Sequence, residues 1–246
     1  MISLLRSEFL KLKRKRFIFV IILMSILEIA WVFALTAKAR QEFHIWDNLI
    51  SNFGILNGLF VPIMIATIVS RLVDVEHKEN TWKMLLATPI NKASLYICKI
   101  ITTMILLLIP LIILFFSMLI IGNVLDYPGS FPVNLILKFL ATTWISSIAI
   151  VALQTWVSVL IKNQAFSLTV GILGSFLGYL GQMIPISKFL IWTYPSITGP
   201  LMLKVVGNQM TYQPNVNSLS NLFLSIVVGI ILILVGLKHF MKKDTN

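Results

Sequence analysis

Charge is scarce in this chain. Only 12% of its 246 residues are Asp, Glu, Lys or Arg, against about 25% in soluble domains. With 58% hydrophobic residues and a mean hydropathy of +0.93, that shortage excludes an ordinary soluble domain. The single cysteine, Cys98, excludes a disulfide framework or a paired thiol site within one chain. It stands at the start of an apolar stretch and reads as a small packing residue. No glycine-rich loop ending in Lys-Ser or Lys-Thr is present, so the chain is not expected to hydrolyse ATP itself. His-Glu-x-x-His is missing too, and His44, His77 and His239 fall in separate loops or tails. His77 beside Glu76 and Glu79 reads as a solvated polar face, because a lone imidazole lacks the supporting groups of a metal site. Neither catalytic residues nor a metal or cofactor site is expected in this chain.

What the chain has is long apolar runs. Spans are expected at 17–37, 49–71, 94–121, 134–161, 165–184 and 218–237, since a helical crossing uses roughly 20 residues. The first run exceeds the roughly 7–15 residues of a secretory signal core and contains Glu28, so it reads as a retained span. Before it, Ile2, Leu5, Phe9 and Leu12 recur at helical spacing among Arg6, Lys11, Lys13, Arg14, Lys15 and Arg16. That pattern suits an amphipathic helix on an anionic inner leaflet. The chain therefore divides into an amphipathic helix at 1–16 and a six-span domain at 17–246.

Nine acids against twenty bases give +11, which in a soluble protein suggests nucleic acid. Here the bases sit in loops, so they set membrane orientation, and the expected surface partner is lipid. Placing both termini inside puts fifteen Lys and Arg on the inner side and five (Lys38, Arg40, Lys138, Lys188, Lys204) outside. That bias sets both termini in the cytoplasm. Pro195, Gly199 and Pro200 interrupt the apolar stretch near 185–205. It is expected as an outer re-entrant helical hairpin between spans five and six rather than a seventh crossing.

Within the spans, Gly171, Gly174, Gly178 and Gly181 fall on one face of span five. Such a groove serves close packing within the chain or an interface with a second chain, and both readings stand. Gly54 and Gly58 repeat the pattern in span two on a smaller scale. Glu28 is the acid nearest the middle of a span, where burial is costly. It is either a contact on a transport pathway or a hydrogen-bonding group between helices. Gln154 in span four poses the same question less sharply.

The most informative segment follows span two, at 74–90. Asp74, Glu76, His77, Lys78 and Glu79 lead into Trp82, Leu85 and Leu86, which share a helical face, and Pro89 stops the helix. A short amphipathic helix with a tryptophan suits a groove on a partner. The alternative, lying flat on lipid, fits less well because its charge is mixed rather than basic.

Asn80-Thr81-Trp82-Lys83, then Leu85-Leu86, Thr88-Pro89-Ile90, and Tyr96 to Lys99 entering span three, resemble permease subunits of type-2 ABC exporters. Within these the run is most similar to the lantibiotic-immunity and bacitracin-type branch. The resemblance implies an all-α integral membrane protein in the bacterial plasma membrane, whose connecting helix is 1–16. It implies a cytosolic coupling helix in which Glu76, Glu79, Asn80, Thr81, Trp82, Lys83, Leu85, Leu86 and Thr88 seat on a separate ATP-binding subunit. ATP and magnesium would be bound by that subunit. It also implies a second permease chain, identical or different, with spans one and five at the contact, and an amphipathic peptide as cargo. A passive channel or the membrane partner of a peptide-sensing complex is the alternative. A membrane enzyme using Glu28 is disfavoured, because no paired base accompanies that acid.

Overall fold

The computed structural model describes residues 2–13, 17–78, 91–161, 163–182, 184, 187–206 and 209–242. Among them, six helices are long and apolar enough to cross a membrane. They are span one (Ile18–Ala37), span two (Trp46–Val75), span three (Lys92–Val124), span four (Val133–Leu160), span five (Gln164–Gly181) and span six (Ser218–Lys242). Each matches one of the apolar runs. Asn91 and Asn163 cap spans three and five, their side chains accepting from Ala93 N at 2.9 Å and Ala165 N at 3.0 Å. Such caps satisfy backbone donors that the first helical turn leaves unpaired.

Two spans are interrupted. Span three consists of Lys92–Leu106 and Leu108–Val124, and span four of Val133–Ser146 and Ile148–Leu160. Pro110 lies just beyond the first break, and its missing N–H gives the Leu106 carbonyl no helical partner. Several hydroxyls in the spans are satisfied locally. Ser25 donates to the Ile21 carbonyl at 2.9 Å and Thr36 to that of Val32 at 2.9 Å, a bond open to Ser and Thr in any helix.

Span two is the axis of the bundle, with Met64, Ile65, Ala66 and Ile68 fully buried. It packs against span five, the C-terminal half of span four, and span one. Span six lies mainly on the C-terminal half of span four, and span one also touches the C-terminal half of span three. The N-terminal helix, Ile2–Lys13, docks on the N-terminal half of span three.

The region after span five departs from the expected helical hairpin. Residues 187–197 form two short 3₁₀ turns and a four-residue helix, Tyr194–Ile197. Then β1 (Leu201–Val206) and β2 (Gln209–Pro214) pair antiparallel, with Leu201 opposite Pro214 and Val206 opposite Gln209. The all-α expectation therefore applies to the bundle and not to this piece after span five. The available sequence signal was Gly207-Asn208 between two strand-length runs, a pair typical of hairpin turns. Apolar content and the prolines before it had directed the reading elsewhere.

Candidate functional site

The expected docking segment begins where the helix of span two ends. That helix runs to Lys78, so Asp74, Glu76, His77 and Lys78 continue span two instead of opening a separate helix. Asp74 is buried. Residues 79–90, and with them Glu79, Asn80, Thr81, Trp82, Lys83, Leu85, Leu86 and Thr88, lie outside the described residues. The N-terminal helix meets the bundle at this same end. Lys99 Nζ stands 3.5 Å from Glu8 Oε1, and both side chains are buried. Lys99, one of the fifteen bases assigned to the inner side by sequence, thus lies within span three as part of a buried ion pair. Glu8 and Lys99 are far apart in the chain, and no local pattern marks them as partners. Phe9 and Leu10 remain exposed on the helix, apolar surface of the kind an interfacial helix presents to lipid.

The glycine face of span five is covered by its own chain. A Cβ at Gly171 would collide with the Ala66 methyl, one at Gly174 with the Trp192 indole, and one at Gly181 with Leu190. At Gly178 it would lie 2.5 Å from the Gly58 carbonyl oxygen and 2.6 Å from that of Trp192. Spans two and five thus approach at backbone distance, which only small residues permit. Pro62 contributes, since it offers no N–H to the Gly58 carbonyl four residues earlier.

Gln154 lies in the neighbouring seam between spans four and five. Its Nε2 donates to the Ser167 carbonyl at 2.7 Å and to Ser167 Oγ at 3.0 Å. Ser158 and Ser167 share a further hydrogen bond. Here the hydrogen-bonding reading of a polar residue within a span holds. Glu28 differs: it is fully buried, and among the described residues neither carboxylate oxygen has a hydrogen-bond partner.

At the end of the bundle opposite both termini is a cavity of about 410 Å³, within the range of small-ligand sites. Spans two, four and five, the hairpin and the start of span six surround it, and among the described residues no charged side chain lines it. Asn215 fixes the wall by donating to the carbonyls of Ile197 and Gly199 at 2.9 Å each. Asn221 donates to the Ile197 carbonyl at 3.2 Å. Gln182 donates to the carbonyls of Ile55 at 3.2 Å and Tyr179 at 2.8 Å. Ser51 Oγ is buried without a partner, and Phe139 and Leu201 add apolar wall. Beside the cavity, Tyr212 donates to Asn48 Oδ1 at 2.7 Å and ties β2 to span two. Burial, with the nearby Asp47 charge, holds that phenol above its usual range. The lining suits an uncharged hydrogen-bonding group better than an ion. The sequence signals of this site are only Asn215 and Asn217 ahead of the last apolar span and Asn221 in its first turn.

Six apolar helices around a buried, partly polar axis define a multi-pass membrane protein. Residues 4–178 match the family model described as ABC-2 family transporter protein. The match covers well over half of the chain, and the chain belongs to that family: it is an ABC-2 type permease. Membership implies an ABC ATP-binding partner. Among curated proteins, none matches the chain.

Proposed function

We propose that this permease belongs to the lantibiotic-immunity and bacitracin-type branch and expels amphipathic antimicrobial or toxic peptides from the bacterial plasma membrane. A separate ATP-binding subunit supplies the energy and seats on residues 74–90. The family match carries the reading, because residues 4–178 include that segment and the span on either side of it. The Asn80-Thr81-Trp82-Lys83 run adds support, as does the excess of Lys and Arg at the end bearing both termini. Two permease chains complete the working unit. On span five the surface left for the second chain is the side bearing Leu173, Phe176, Leu177 and Leu180, all exposed. The uncharged outer cavity offers a place for the polar groups of a cargo that leaves the membrane.

Peptide challenge of cells carrying Trp82→Ala, or charge reversal at Glu76 and Glu79, tests the coupling role. A tryptophan anchor at an interface contributes about 2 kcal/mol or more, so the ATPase should bind roughly 30-fold more weakly. Peptide tolerance should then fall to that of cells lacking the permease. Full tolerance with normal ATP turnover in these variants would remove the segment from the mechanism.

A further inference from the structure

The cavity around Glu28 holds an excess of hydrogen-bond acceptors deep in the bundle. Both Glu28 carboxylate oxygens and Asn57 Oδ1 are buried without a donor, and both residues line one small cavity with Thr143 and Ser147. Three of the donors around it point elsewhere. Asn57 Nδ2 donates to Thr143 Oγ1 at 3.3 Å, Ser147 Oγ to the Thr143 carbonyl at 2.7 Å, and Trp144 Nε1 to the Met104 carbonyl at 2.8 Å. Among the described residues no other acidic or basic side chain lines the cavity, and Val61, Met64 and Leu111 add apolar surface. An ionised carboxylate buried in such surroundings carries a large desolvation penalty unless a positive charge joins it.

We propose that Glu28, Asn57, Thr143 and Ser147 form an intramembrane site for one small hard cation, a sodium ion or a proton. The donor atoms are all oxygens, which favours hard cations over soft metals. The cavity measures about 10 Å³, room for roughly one water-sized species. That excludes an organic cation, and it excludes the hydrated shell that magnesium keeps. The bound cation ties span one, through Glu28, to span two at Asn57 and span four at Thr143 and Ser147. Movement of span one away from the bundle is thereby linked to release of the cation. The site does not depend on the cargo or on the peptide-exporter branch.

Thermal unfolding of the purified protein in nanodiscs tests this, with Glu28→Gln beside the wild type. Sodium chloride is titrated against choline chloride at matched ionic strength, and a separate pH series is run without sodium. Anything that binds the folded state alone raises its unfolding temperature with concentration. A sodium site predicts an unfolding temperature that climbs with sodium in the wild type. A proton site predicts no sodium response but a stability advantage at low pH, lost as pH rises. Glu28→Gln should lose whichever response the wild type shows. Ser147→Ala keeps the carboxylate and removes one oxygen, so its midpoint should shift about tenfold. Identical sodium and pH responses in wild type and Glu28→Gln overturn the proposal. If Glu28→Gln does not fold, identical responses in wild type and Ser147→Ala overturn it equally.

Discussion

Gln154 and Glu28 are both buried polar side chains inside membrane spans, and their surroundings could hardly differ more. Gln154 sits in a seam built to receive it, with Ser167 supplying two acceptors and the glycine face of span five bringing that serine close. Glu28 faces a small cavity whose other polar groups give its carboxylate no hydrogen bond. The contrast separates structural from functional polarity within one bundle. A polar group whose partners are protein atoms fastens two helices. One whose protein partners are missing keeps its capacity for something that arrives and leaves.

The largest expected effect comes from destroying the seam outright. Gly171→Leu drives a side chain into Ala66 and toward Gln154 Oε1, forcing spans two and five apart. Overpacking of this kind costs on the order of 3 kcal/mol or more, and thermal unfolding in detergent should show a lower midpoint or loss of folded protein. A smaller loss is expected from Gln154→Leu. It removes both bonds to Ser167 but leaves the backbones in place, so about 1–2 kcal/mol should disappear in a reversible denaturation series. Measured without sodium, Glu28→Gln should show the smallest change, within about 1 kcal/mol of the wild type, because it removes an acid that no protein donor satisfies. If Glu28→Gln destabilised the protein more than Gln154→Leu, the distinction between the two sites would collapse.

Much of the bundle was readable in advance because membrane crossing imposes length and hydropathy on each helix. All six runs became spans, and Asn91 and Asn163 stand where caps are needed. The four glycines share one helix face in the sequence, and that face is where Ala66, Trp192, Gly58 and Leu190 pack. Which element would occupy that surface was not readable, since Trp192 and Gly58 come from distant parts of the chain. The Glu8–Lys99 pair was hidden for the same reason. The hairpin at 201–214 was missed because a mixed apolar run carries neither a clean helical nor a clean strand period. Glu28 was identified as unusual from its type and depth alone, and its lack of donors depends on the fold.

The central claim is that this permease works through a separate ATP-binding subunit seated on residues 74–90. Its most direct test is a mild-detergent pull-down of the chain from native membranes, followed by mass spectrometry of the proteins retained. The account predicts an ATP-binding cassette subunit in the wild-type eluate and its loss with Trp82→Ala. Recovery of folded permease without any such ATPase, across several detergents, would contradict it.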